Sequence, residues 1–216
     1  MITDFDAGKI KNVVFDLGGV VIDLKRERAV EALEALGIKN VDELLGLYRQ
    51  EGPFLGLETG KVTADEFFDL MRSQAPGADD RALSEAFCQF LVDLPVERLR
   101  ALRKLRDAGF RVFALSNTNP VMYNSWIANA FRREERNIND YFDGIVASFQ
   151  ELICKPDPEI FRRVLTRYSL TPEETLMLDD SEANCRGAES VGMKAWQVGT
   201  DNGHDMLKYC AILLNR

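Results

Sequence analysis

The stretch Asn12–Asp23, NVVFDLGGVVID, decides how the rest of the chain is read. Val13, Val14 and Phe15 run without a polar break into Asp16. A continuous apolar run of this length suits a strand covered on both faces, as in a parallel sheet. The chain then turns on Gly18 and Gly19. A buried strand that delivers a carboxylate to a glycine turn makes Asp16 a candidate nucleophile.

Downstream, strands and helices alternate. VERLRALRKLRDAG spaces Leu99, Leu102 and Leu105 on one helical face and ends at Gly109, a good helix stop. FRVFALS reads as a strand over Phe110–Leu115, and GIVAS as a second short strand. In KPDPEIFRRVLTRY, Asp157 is the expected N-cap and Pro158 sits in the first turn, where proline is tolerated. Thr171 and Glu174 are expected to form a capping box around Pro172. TLMLDD is a strand running into acids, SEANCRGAESVG a short helix stopped by Gly192, and KAWQV a last strand. Such alternation implies βαβ units and a parallel sheet. Between about residues 24 and 95 the pattern is different. RERAVEALEALG, NVDELLGLYRQ, TADEFFDLM and DDRALSEAFCQFLVDL are all amphipathic helix patterns, and no strand stands out. The expected fold is α/β, a Rossmann-like parallel-sheet core (residues 1–23 and 96–216) with a helical cap (residues 24–95) inserted after the first strand. Ligands in such sheets bind outside the carboxyl ends of the strands, so the insertion would roof the site.

Composition narrows the function. The formal net charge of −8 argues against a nucleic-acid partner, because an acidic surface repels phosphate backbones. No apolar run approaches the roughly 18 residues of a membrane span, and the polar, acidic start MITDFDAGKIKN has no signal-peptide pattern. Cys88, Cys154, Cys185 and Cys210 are scattered, the usage expected of a reducing cytoplasm. The single histidine, His204, leaves no material for a histidine-based triad or metal site, so a metal would be held by oxygen. DLGGVV lacks the G-x-G-x-x-G spacing, and no G-x-x-x-x-G-K-[ST] occurs, which argues against a nucleotide-binding loop. Monomer and homodimer both remain open.

Four strand ends or adjacent loops carry polar groups: Asp16; Ser116 and Asn117; Lys155; and Asp179 and Asp180. Each alone has an ordinary explanation as a cap, a turn or a solvated charge. Together, at the convergent ends of one sheet, they are the set that phosphoryl transfer needs. That chemistry depends on positioning and charge neutralisation, with Mg²⁺ bridging carboxylates and a phosphate oxygen.

At these motifs the sequence resembles the haloacid dehalogenase superfamily of aspartate-nucleophile hydrolases, in the subfamily with a helical cap. FDLGGV, LSNTN, KPDPEIF and LDDSEAN match its four motifs in order, and LETGKVTADEF is typical of caps in the branch that includes α-D-glucose-1-phosphate phosphatase. The resemblance implies a Mg²⁺-dependent phosphatase acting on a small phosphorylated metabolite, with sugar phosphate favoured. By that resemblance Asp16 is the nucleophile, Ser116 and Lys155 hold the phosphoryl group, and Asn117 assists in binding substrate. Asp180 is the implied direct metal ligand, with Asp179 beside it, Asp16 and the Gly18 carbonyl completing the set, and Asn184 orienting Asp180.

The family's first motif normally reads D-x-D, and here the second position is Gly18. A glycine keeps the backbone carbonyl and loses the acid–base side chain. That loss amounts to about 10²–10⁴-fold, or roughly 3–5 kcal/mol of barrier. Either the leaving group departs with little help, or a cap carboxylate such as Asp23 or Glu58 supplies the proton, or turnover is slow. A metal-free 2-haloacid dehalogenase and a catalytically weak binding or regulatory protein are the alternatives. Two adjacent carboxylates beside Asp16 would repel in a dry site without a cation, which argues against the dehalogenase.

Overall fold

The computed structural model describes residues 7–45, 52–199 and 206–215; His204 and the end of the NVDELLGLYRQ pattern lie outside them. Among these residues the strands are β1 (Asn12–Phe15), β2 (Asp23–Leu24), β3 (Leu91–Asp93), β4 (Arg111–Ser116), β5 (Gly144–Ala147), β6 (Thr175–Asp179) and β7 (Lys194–Gln197). Five of them form one parallel sheet in the order β5-β4-β1-β6-β7. The apolar run that opened the sequence is its central strand. Period-two alternation sends Val13 and Phe15 into one core, with Val112, Ala114, Leu176 and Leu178, and Val14 into the other, with Phe113, Leu115, Val146 and Met177. Both faces of β1 are therefore dry, which is why the strand needs no polar residue until Asp16.

Helices cover both faces. On the first, α6 (Val96–Asp107) contributes Leu99, Leu102 and Leu105, against Met206, Tyr209 and Leu213 of the last helix. On the second, the helix Pro158–Arg167 contributes Ile160, Phe161 and Val164, and Glu182–Glu189 contributes Cys185 and Ala188. Burying each such large side chain is worth about 1.5–3 kcal/mol. Asp157 caps its helix as expected, accepting from Glu159 N–H at 2.9 Å. Thr171 does not cap. Pro172–Glu174 is a single 3₁₀ turn, and Glu174 reaches Lys11 at 2.6 Å across the sheet edge instead of folding back on Thr171.

Between β1 and α6 the chain forms the helical insertion: α1 (Arg26–Ala35), α2 (Val41–Leu45), α3 (Gly52–Glu58), α4 (Ala64–Gln74) and α5 (Asp80–Cys88). Thr63 and Glu66 make a reciprocal capping box at α4, and Asp79 caps α5. Leu33, Phe67, Met71, Leu83 and Phe87 turn inward and are all fully buried. The insertion also contains strand, contrary to the sequence expectation. β2 and β3 pair antiparallel, Asp23 with Asp93 and Leu24 with Leu91, so the chain enters and leaves the helices through one two-stranded ribbon. Like charges opposed across a ribbon destabilise it, and arginines offset both. Arg98 binds Asp23 at 2.8 Å and the Val21 carbonyl at 3.2 Å; Arg133 binds Asp93 at 2.8 Å and the Leu94 carbonyl at 2.6 Å.

Arg98→Met should therefore destabilise the protein by about 1–3 kcal/mol, because a buried carbonyl loses its donor and Asp23 its counter-charge. Urea denaturation of the variant against the parent chain measures this.

Candidate active site

The strand order reverses between β1 and β6, its neighbour on the side away from β4. At such a switch point the connections diverge to opposite faces and leave a crevice beyond the strand ends. Phe15 is in register with Leu178, and Asp16 N–H donates to the Leu178 carbonyl at 2.9 Å, so the next residues, Asp16 and Asp179, emerge side by side. Ser116 ends β4 on the other side of β1.

Lys155 enters from the loop that follows the short helix Ser148–Glu151 after β5, and is 1% exposed. Its ammonium donates to Asp179 Oδ2 at 2.6 Å and lies 3.0 Å from Asp16 Oδ1. An ammonium so deeply buried survives only with carboxylate partners, and these two hold it protonated despite burial. The other Asp179 oxygen accepts from Asn184 Nδ2 at 2.8 Å and Ser181 N–H at 3.0 Å, so both Asp179 oxygens are held in place. Asn184 thus orients Asp179, where the sequence reading assigned it to Asp180. Asn117 forms a reciprocal pair with the lysine backbone: Lys155 N–H donates to its Oδ1 at 2.8 Å, and its Nδ2 donates to the Lys155 carbonyl at 2.9 Å. The Asn117 amide therefore seats the lysine. The buried Ser116 hydroxyl leans on its neighbour's carbonyl at 3.4 Å, a long contact.

Asp16 Oδ1 also accepts from Leu17 N–H at 2.7 Å. Burial pushes the Asp16 carboxyl well above the usual carboxylate range, with Lys155 opposing and Asp179 and Asp180 reinforcing the rise. Asp180, on the exposed rim, is pushed up to about 6 by partial burial and by Asp179. Asp16, Asp179 and Asp180 offer oxygens within 4.8 Å of one another. This concentration of carboxylate is the donor chemistry of a hard, oxygen-preferring cation, and the Mg²⁺ set expected from the sequence fits it. Gly19 shows how tightly the turn wraps this cluster. It has φ +73°, and a Cβ there would lie 2.3 Å from Asp180 Oδ2. A Cβ on Gly18 would instead meet Leu24 Cδ1 at 3.0 Å.

Asp16, Gly18, Ser116, Asn117, Lys155 and Asp180 line one cavity of about 440 Å³, the size class of a small-molecule site. The insertion supplies its roof: Arg26, Leu45, Phe54, Glu58, Phe90 and Leu91. None of these except Glu58 was legible as a cavity residue, because helix periodicity marks a buried face without saying what it faces. Ser148 was also missed; fully buried, it accepts from Thr118 N–H and donates to the Thr118 carbonyl, both at 3.0 Å, and stiffens the loop after Ser116. Trp126 packs at the edge of the core and away from this cavity, whereas Met122 and Ile127 of the same segment line it. Among the described residues no helix is long and apolar enough to cross a membrane, and all four cysteines are free thiols.

The parallel sheet, with clustered carboxylates and a buried lysine at its switch point, places the protein in the α/β class with a site at the carboxyl ends of its strands. The profile of the haloacid dehalogenase-like hydrolases matches residues 10–192, and the chain belongs to that family. It is 35% identical to D-ribitol-5-phosphate phosphatase of Bacteroides thetaiotaomicron over 211 residues, 95% of this chain and 99% of that protein. A solved haloacid dehalogenase family enzyme from the same organism, in complex with magnesium and inorganic phosphate, superposes with a TM-score of 0.84 at 36% identity, covering 92% of this chain and 98% of that one. The structure of a predicted haloacid dehalogenase-like hydrolase from Porphyromonas gingivalis gives a TM-score of 0.85 at 33% identity, covering 96% and 99%.

Lys155→Met should cost about 3–5 kcal/mol of stability, because it strands Asp16 and Asp179 as buried carboxylates without their cation. Chemical denaturation in EDTA at neutral pH, where no added metal masks the loss, measures the effect.

Proposed function

We propose that this chain is a Mg²⁺-dependent phosphatase that hydrolyses a small phosphorylated metabolite, a sugar or polyol phosphate, through a phosphoryl group carried on Asp16. The observation that carries the reading is the cluster itself: Asp16 beside a fully buried lysine and an acid pair, opening into a cavity of about 440 Å³. The relative that hydrolyses D-ribitol-5-phosphate supports the choice of a polyol or sugar ester. So does the roof, where Arg26 and Glu58 offer polar contacts among apolar walls.

Each side chain has a distinct part. Leu17 N–H and Lys155 both hold Asp16 Oδ1, which fixes the carboxylate and leaves Oδ2 as the oxygen that attacks phosphorus. In-line attack forms the Asp16–phosphorus bond and breaks the bond to the ester oxygen. Lys155 carries positive charge to the phosphoryl oxygens, where pre-placed charge is most effective in a dry site. The Ser116 hydroxyl donates to one of those oxygens, exchanging its long contact to the Asn117 carbonyl for a shorter one. Asn117 sets the lysine's position through the backbone. Asp180, Asp16, the Gly18 carbonyl and Asp179 are the groups that would hold Mg²⁺, which when bound neutralises phosphate charge and orients it. Water then attacks the phosphorus of phospho-Asp16 and releases orthophosphate.

The acid pair also supports this reading over a metal-free dehalogenase, in which the Asp180 charge would repel Asp16 with no cation to offset it. Purified protein with Mg²⁺ should release orthophosphate from pentitol and sugar phosphates and from p-nitrophenyl phosphate. EDTA should abolish the release, and Asp16→Asn should lower it by more than about 10³-fold. Halide release from 2-chloropropionate in EDTA, with no phosphate release in Mg²⁺, would overturn the proposal.

A further inference from the structure

The insertion brings a further carboxyl group into the catalytic cavity. Glu58, the last residue of α3, lines the same cavity as Asp16, Gly18 and Lys155 and is 4% exposed. Phe54, one helical turn earlier on the same face, lines it too. The backbone here is fastened to the core. Cys154 Sγ–H donates to the Glu58 carbonyl at 3.8 Å, directly before Lys155 in the chain. The Thr59 hydroxyl donates to the Leu55 carbonyl at 2.7 Å and closes the end of α3. Gly60 then seats the turn against the segment that follows β5. Its φ is +65°, and a Cβ would lie 2.8 Å from the Phe149 carbonyl oxygen, a backbone atom that cannot step aside. Asp23, the other carboxylate that the sequence offered as an acid, is committed to Arg98 and does not line the cavity.

We propose that Glu58 is the general acid and base of this hydrolase, performing from the insertion the proton transfers that Gly18 has no side chain to perform. The proposal rests on the phosphatase reading above. In the first step Asp16 Oδ2 attacks phosphorus, the bond to the ester oxygen breaks, and the departing oxygen takes the Glu58 proton, giving the free alcohol and a Glu58 carboxylate. In the second, that carboxylate takes a proton from water as its oxygen attacks phosphorus. The bond to Asp16 breaks, orthophosphate leaves, and Glu58 is again protonated.

The electrostatics agree with this cycle. Burial pushes the Glu58 carboxyl up to about 8, against the opposing pull of Lys155, so it carries its proton at neutral pH. Among the described residues, the titratable groups that act on it include the Lys155 ammonium and the Cys154 thiol, itself pushed up to about 11 by burial and by Glu58, with Lys61 acting on the same thiol.

A general acid matters in proportion to how poor the leaving group is. The test compares the intact protein with Glu58→Gln, an isosteric change, on ribitol 5-phosphate and on p-nitrophenyl phosphate. The ratio of kcat/KM for the alkyl ester to that for the nitrophenyl ester should fall by about 10²-fold or more in Glu58→Gln, and Glu58→Asp should recover part of it. The intact protein should lose alkyl-ester activity above about pH 8, and Glu58→Gln should lack that limb. An equal fall on both esters would make Glu58 structural and overturn the proposal, as would no fall on either. Absence of any phosphate release from the nitrophenyl ester by the intact protein would overturn the phosphatase reading, and the role of Glu58 with it.

Discussion

The ammonium of Lys155, buried between Asp16 and Asp179, is the interaction on which the site depends. A charge that is 1% exposed would be expelled or neutralised without partners. The two carboxylates come from adjacent strands of the same sheet and so cannot drift apart without breaking β1–β6 pairing. The lysine is fixed from behind by the Asn117 amide, and Asp179 by Asn184 and Ser181. Each of these polar bonds would be marginal alone. Together they hold a cationic centre in a dry crevice at a fixed distance from Asp16.

The glycine turn follows from the same crowding. Beyond Asp16 the chain must leave the sheet past the acid pair, and at Gly19 there is no room for a Cβ beside Asp180. The turn closes on itself, with Val21 and Ile22 N–H groups both returning to the Leu17 carbonyl, and hands the chain to the ribbon. At Gly18 the neighbour is only the tip of Leu24. Steric necessity therefore accounts for Gly19, whereas crowding by a flexible side-chain tip does not dictate a glycine at position 18.

Much of this was legible in the sequence because the signals were local. NVVF announces a doubly covered strand, the cap Asp157 sits at the start of its helix, and the polar residues fall at strand ends where topology gathers them. What escaped depends on pairing across long separations. β2 and β3 have two and three residues, too few to show a period, and exist because residue 23 meets residue 93. Glu174 has a local partner in Thr171 yet takes Lys11, 163 residues away in sequence. Asn184 lies one turn beyond Asp180 in sequence, but the helix geometry carries its amide to Asp179. Glu58 could be named as a carboxylate of the inserted segment; that its helix end lies near Lys155 shows only in the long-range contact with Cys154.

The ribbon has an evolutionary consequence. Paired strands put the entry and exit of the insertion next to each other, at the spacing of neighbouring strands. A segment with adjacent ends can be exchanged, lengthened or shortened without rethreading the sheet. Asp16, Ser116, Lys155 and Asp180 stay with the core in any such exchange, whereas Glu58, Phe54 and Arg26 travel with the exchanged piece. Under the proposed role of Glu58, substrate preference and tolerance of poor leaving groups become one heritable unit, and a single recombination would change both while Asp16 stayed in place.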